Sequence, residues 1–280
     1  MLRFGSIGGR AHAFFGDDRQ PQAVDIERTL GLPADPMQCI AHWDELRTRL
    51  DDLANGASRP VQLTELDCPI PRPSQLFAVG LNYRKHAEEM NSPIPNQPLV
   101  FAKFPSSLNS PTGTVTIVGE TCDYESEVVV VIAKGGRDIP ASEAWNHIAG
   151  LCAGQDVSDR GLQYAGTPPQ FSLGKSRRGF SPIGPWVGDV HEHPRRDTLT
   201  IGCSVNGEQR QSTEIHDMIF SIDQVVAFLS SIVELRSGDL IYTGSPFGVG
   251  HGMKPPKYLQ PGDVIETTLE GVGTIINHCV

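Results

Sequence analysis

Short β-branched runs, each stopped within a few residues by Gly, Pro or Asp, constrain this chain more than any other feature. LFAVGL, VVVVIA, LTIGCSV, DLIYTG and DVIETTL have the length and composition of strands, and their punctuation forces turns between them. SGDLIYTG and PGDVIETT both open on a Gly-Asp turn, which is a recurring turn and not a repeat architecture. Helical spacing is scarcer and is clearest over 142–149 and 222–231. The expected fold is mixed α+β and β-rich.

The first 70 residues read as a smaller α/β unit, with strands near 2–7 and 11–15. A helix is expected over 41–53, where Trp43, Leu46, Leu50 and Leu53 recur on one face. CPIPRPS, residues 68–74, places three prolines in seven positions and reads as a stiff connector. The boundary is therefore expected there, dividing a small N-terminal domain, 1–70, from a main domain, 71–280.

A length of 280 residues suffices for a large core without disulfide or metal staples. The 33 acidic against 23 basic side chains leave a formal charge of −10, which disfavours nucleic acid and anionic membrane surfaces. Six scattered cysteines contain no CxxC pair, so free thiols are expected rather than a zinc ribbon or redox motif. MLRFGSIGGR lacks the apolar stretch of a secretion signal, and the run over 128–133 is too short to cross a bilayer. A cytoplasmic location is the expectation.

In DYESEVVVVIAK, Glu125 and Glu127 are two apart at the mouth of a strand, so both carboxylates share one face. They could line a solvated face, but the valines behind them favour a buried sheet, where unpaired acids are costly. Asp156 in GQDVSDR could meet the pair from a strand end or merely cap a turn. Three carboxylates without His or Cys nearby suit Mg²⁺, Mn²⁺ or Ca²⁺ rather than zinc, leaving positions for water and a bidentate substrate. The metal reading requires the three acids to converge, with none spent on an arginine.

His86 and Glu89 in GLNYRKHAEEM share a helical face, while Glu88 points away. They fit either an oriented base or an exposed ion pair. GKS at 174–176 resembles the end of a phosphate loop, but Pro169 stands where that motif needs glycine. GVGHG at 248–252 lacks a strand-turn-helix context, and His191-Glu192-His193 is no HExxH helix. Lys175 remains, as a lone cation suited to an oxyanion or as a surface lysine.

GLNYRKHAEEM, PLVFAKFPSSL, DYESEVVVVIAK, GQDVSDRGLQ, QFSLGKS, SPIGPW, GDLIYTGSPFGVG and PGDVIETTLEGVG follow the order of blocks in the fumarylacetoacetate hydrolase family, across roughly 75 to 278. The resemblance implies a small N-terminal domain, a C-terminal mixed β-sandwich roll and a homodimer. It implies that Glu125, Glu127 and Asp156 hold Mg²⁺ or Mn²⁺, with Ca²⁺ able to stand in within a crystal. It also implies that His86 and Glu89 are a water-activating pair on a lid, that Lys175 steadies oxyanion charge, and that Arg160, Gln163 and Ser245 contact substrate. Two departures stand out: TGSP replaces the usual TGTP around Ser245, and Arg177-Arg178 follows GKS, where relatives more often carry an aromatic residue. The second bears on substrate identity, with solvent the favoured destination for both arginines.

The activity so implied is metal-dependent hydrolysis of a C–C bond in an acylpyruvate or related small oxo-acid. The metal would hold the oxo-acid end and carry enolate charge, while His86 activates water. The same site could instead decarboxylate an oxaloacetate-like acid or isomerise a dienedioate between keto and enol forms. A catalytically silent metal-binding homologue is the third alternative.

Overall fold

The computed structural model describes residues 1–191 and 193–280, so Glu192 of the His191-Glu192-His193 segment lies outside the described residues. Its frame is a 12-stranded sheet whose centre is the strand Ser126–Ile132. That strand pairs antiparallel with Ile148–Gln155 on one side and with Leu240–Tyr242 on the other. Leu240–Tyr242 in turn runs parallel to Leu76–Gly80, which pairs with the edge strand Leu99–Ala102. Beyond Ile148–Gln155 come Ser181–Gly188, then Arg3–Ile7, Arg10–Phe15, Gln22–Asp25 and Ser58–Pro60. A second, four-stranded antiparallel sheet contains Glu208–Glu214, Thr200–Val205, Val264–Leu269 and Gly273–His278.

Every residue of Ser126–Ile132 is buried because both faces of the sheet are covered. Val128, Val130 and Ile132 enter one core with Ile201, Leu269 and Ile275 of the second sheet and with Val225, Val226 and Leu229. The latter three lie on the helix Ile222–Ile232, whose start is closed by Gln224 Oε1 accepting the Ser221 N–H at 3.1 Å. Val129 and Val131 face the other way, into a core with Ile40, Trp43, Leu46 and Leu53 from the N-terminal unit. Each buried Val or Ile side chain contributes about 1.5–3 kcal/mol of transfer free energy. This run therefore anchors both layers.

Hydrogen bonding does not stop near residue 70: Arg3 and Phe4 pair with Gly188 and Val187, so the first strands extend the main sheet. The expected helix over 41–53 is two short ones, Trp43–Thr48 and Leu50–Ala54, broken at Arg49; Trp43, Leu46 and Leu53 are buried and Leu50 is half-buried. The expected helix over 142–149 is corrected to a 3₁₀ segment, Ala141–His147, followed directly by strand. Ile148 there pairs with Ile132, so tertiary pairing overrides local helical spacing. No described helix is long and apolar enough to cross a membrane.

Candidate active site

The central strand begins at Ser126, so Glu125 and Glu127 sit at its mouth, and the neighbouring strand Ile148–Gln155 ends one residue before Asp156. The Asp156 N–H donates to the Glu125 carbonyl at 2.9 Å, which locks the two strand ends together. One carboxylate oxygen from each of Glu125, Glu127 and Asp156 lies within 4.8 Å of the others, and all three residues are buried. An anionic, all-oxygen donor set of this kind fits a hard divalent cation.

The electrostatics agree with that fit. Burial, then the proximity of Asp156 and Glu125, pushes the Glu127 carboxyl well above the usual range. A cation among the three acids would remove this penalty. The Gly244 N–H supports Glu127 Oε2 at 2.7 Å. Burial would also raise Glu125, but Lys175 and Arg160 outweigh it and hold that carboxyl well below its ordinary value.

Glu125 does spend one oxygen on an arginine: Arg160 donates to Oε1 at 2.6 Å. Its other oxygen, Oε2, accepts from Lys175 at 2.6 Å, so both oxygens of this carboxylate are met by cations. Arg160 thus takes half of this ligand rather than removing it. Lys175 also donates to Asp156 Oδ2 at 2.6 Å, bridging two of the three acids. A bound cation must share these oxygens with the ammonium or displace it.

Lys175 is not the lone cation expected from its sequence surroundings. Lys103, also buried, donates to Asp156 Oδ1 and to the Phe180 carbonyl. Burial lowers the Lys103 pKa despite the attraction of Asp156, whereas for Lys175 the attraction of Asp156 and Glu125 prevails over burial and raises it. The clustering answers a physical need, since buried carboxylates unmatched by positive charge would not persist.

His86 and Glu89 lie on the short helix Arg84–Glu89, with His86 Nδ1 3.0 Å from Glu89 Oε2. Glu89 Oε1 accepts the Gly248 N–H at 2.9 Å, so the carboxylate is held from two sides. A carboxylate partner selects the tautomer with hydrogen on Nδ1 and leaves the lone pair on Nε2. The chain reaches this helix through Leu81, whose φ of 53° is sterically unfavourable for a non-glycine residue. Asn82 secures the turn by donating to the Thr243 and Phe220 carbonyls.

His86, Arg160, Gln163, Lys175, Ser245 and the three acids all line one cavity of about 170 Å³, while Glu89, the remaining expected residue, does not line it and reaches it only through His86. Arg160 also grips Asp123 through two nitrogens and donates to Gln163 Oε1 at 3.0 Å. Ser245 Oγ accepts from Gln211 Nε2 at 2.9 Å. Arg177 and Arg178 are exposed, Arg177 is paired with Asp159, and neither lines this cavity.

Sequence reasoning missed Lys103, Asp123 and Gln211. Lys103 and Asp123 lie inside blocks already singled out, PLVFAKFPSSL and DYESE. Gln211 carried no local signal. Its Oε1 accepts the Ser126 N–H between the two glutamates at 2.8 Å, while its amide reaches Ser245 and the Pro246 carbonyl. One buried amide thereby couples the strand mouth to the loop opposite.

The family described as fumarylacetoacetate (FAA) hydrolase C-terminal matches residues 75–280. Over 263 residues the chain is 37% identical to the oxaloacetate tautomerase YisK of Bacillus subtilis, covering 88% of this chain and 87% of that protein. A Mycobacterium smegmatis crystal structure described as an HpcE protein superposes with a TM-score of 0.91 at 40% identity, covering 100% of this chain and 99% of that one. Maleylpyruvate hydrolase from Sphingobium sp. SYK-6, solved with manganese(II) and pyruvate, superposes with a TM-score of 0.81 at 25% identity, covering 99% of this chain and 98% of that one. A family match across the main sheet and the site, joined to more than a third identity along most of a relative's length, makes this chain a member of the fumarylacetoacetate hydrolase family.

Proposed function

We propose that the chain catalyses proton transfer between the keto and enol forms of a small 2-oxo acid, with Glu125, Glu127 and Asp156 holding Mg²⁺ or Mn²⁺. The observation that carries this reading is the Glu89-oriented His86 facing the same cavity as the three acids and Lys175. When bound, the cation supplies Lewis-acid polarisation of the 2-oxo carbonyl. His86 takes a proton at Nε2 from the carbon beside that carbonyl, and Glu89 stabilises the imidazolium. Lys175 donates to the oxygen on which negative charge collects. Arg160 and Gln163 orient the carboxylate end, and the small cavity limits access of bulk water. The tautomerase activity named for the Bacillus subtilis relative supports the reaction class.

Hydrolysis of an acylpyruvate C–C bond is a second reading, favoured by the same observation, because a carboxylate-oriented histidine can equally deprotonate water. The maleylpyruvate hydrolase neighbour supports it. The two are separated by following enol absorbance with oxaloacetate and pyruvate release from acetylpyruvate, each with Mn²⁺ and with chelator. Chelator-sensitive loss of enol without pyruvate release is the expected result. Pyruvate release from acetylpyruvate alone would transfer the assignment to hydrolysis. His86→Asn should lower the rate by about a hundredfold, and an undiminished rate would remove the base from this mechanism.

A further inference from the structure

The segment GVGHG, residues 248–252, lacks the context of a nucleotide-binding turn, yet its backbone touches both sides of the site. The Gly248 N–H donates to Glu89 Oε1 at 2.9 Å, on the carboxylate that orients His86. The Gly250 and His251 N–H groups donate to Asp123 Oδ1 and Oδ2 at 2.8 and 3.0 Å, on the carboxylate that grips Arg160. The backbone approaches both carboxylates too closely to carry side chains there. A Cβ on Gly250 would stand 2.6 Å from Asp123 Oδ1 and 1.9 Å from the Lys257 carbonyl oxygen, and one on Gly252 would stand 2.5 Å from Glu89 Cδ.

From this fixed backbone His251 supports the cavity wall from outside. Its ring stacks on Tyr164, with centroids 5.6 Å apart and planes 22° from parallel, and its Nδ1 lies 2.7 Å from Tyr258 Oη. Burial and then Arg160 lower the His251 pKa, so at neutral pH the ring covering Tyr164 is a neutral imidazole. Tyr164 itself lines the cavity, whereas His251 does not. It follows the helix Arg160–Gln163, its N–H donating to the Arg160 carbonyl at 3.1 Å, and it meets Phe171 edge-on at 6.3 Å. At 40% exposure it stands between the cavity and solvent, held face to face by His251 and edge-on by Phe171.

Resting on the 2-oxo-acid reading above, we infer that Tyr164 is a substrate contact beside Arg160 and Gln163, and that His251, braced by Tyr258, is its positioning residue. A tyrosine already fixed against His251 loses less side-chain freedom when substrate covers it, so affinity depends on a ring that substrate never touches. The turn 248–252 then serves binding twice, through Asp123 on Arg160 and through His251 on Tyr164.

The test is a double-mutant cycle, read by enol absorbance with oxaloacetate and by calorimetric titration of oxaloacetate into the Mn²⁺-loaded protein. His251→Ala and Tyr164→Ala should each raise KM and Kd about fivefold to tenfold, with kcat changed less than about twofold. The double variant should bind no worse than Tyr164→Ala, since His251 acts through that ring. His251→Phe keeps a neutral flat ring and should recover most of the loss. Tyr258→Phe should weaken binding beside the native His251 but not beside His251→Phe. Unchanged KM and Kd in His251→Ala, losses that add in the double variant, or a His251→Phe variant as weak as His251→Ala would each overturn the inference and leave the proton-transfer reading in place. The expected cycle in Kd without metal-dependent loss of enol would do the reverse. Failure of the Mn²⁺-loaded protein to bind oxaloacetate would overturn both.

Discussion

At the scale of single residues, the site is an exercise in charge matching. Asp123, Glu125, Glu127 and Asp156 are buried beside Lys103, Arg160 and Lys175, so ionising every group leaves one excess negative charge. Glu127 has the strongest reason to shed it, because burial and its two acidic neighbours disfavour its charged form and no cation hydrogen-bonds it among the described residues. Glu127→Gln keeps the shape and can keep the Gly244 hydrogen bond, yet removes an anionic ligand. The variant should fold with unchanged thermal stability or a slight gain, while its metal affinity falls by more than about tenfold, the lower end of what loss of a mere outer-sphere partner costs. Metal analysis after dialysis, beside a thermal melt, checks both parts. Full retention of metal would remove Glu127 from the ligand set.

At the scale of elements, the site depends on where strands stop. Ser126–Ile132 and Ile148–Gln155 end together, and the turn after Leu240–Tyr242 brings the Gly244 N–H to Glu127. Gly244 has φ +103°, and a Cβ there would stand 2.7 Å from the Asn82 Cβ and 2.9 Å from the Val79 carbonyl. Gly244→Ala must therefore move the turn, at a cost of about 1–3 kcal/mol in strain, and withdraw a hydrogen bond from Glu127. It should lower both the melting temperature and metal affinity, and normal metal binding would show that the turn does not position the ligand. The strands themselves were legible because valine runs bounded by Gly, Pro and Asp have few alternatives. The acids at 125 and 127 were legible for the same reason, since alternation puts both on one side. Residues 142–149 were misread because the pairing of Ile148 with Ile132 cannot be seen in local spacing. Lys103 and Gln211 were missed because each acts across the fold, Lys103 on Asp156 and Gln211 on Ser126 and Ser245.

At the scale of the whole molecule, the N-terminal unit is bound to the main sheet by more than its shared core. Asp189, just beyond the strand Ser181–Gly188, accepts from Arg47 Nε at 2.9 Å and lies 2.6 Å from His191 Nδ1. His191 Nε2 in turn lies 2.8 Å from the Trp145 carbonyl, so one carboxylate joins the helix Trp43–Thr48, the end of the central sheet and the 3₁₀ segment Ala141–His147. Burial would raise the Asp189 pKa, but hydrogen bonds from His191 and the charge of Arg47 outweigh it and hold it below the ordinary aspartate value of 3.8. A folded-state pKa depressed in this way contributes stability that is present above 3.8 and is lost as pH falls through the lower folded value. Solvent screening at the partly exposed Arg47 limits the contribution to about 1 kcal/mol. Asp189→Asn should therefore be less stable than the unaltered protein by about that amount at neutral pH, with the gap narrowing below 3.8 as the native aspartate takes up its proton. Denaturant unfolding of both proteins across that range measures the gap directly. A gap independent of pH would mean that Asp189 holds the two units together by shape and neutral hydrogen bonds, not by its charge.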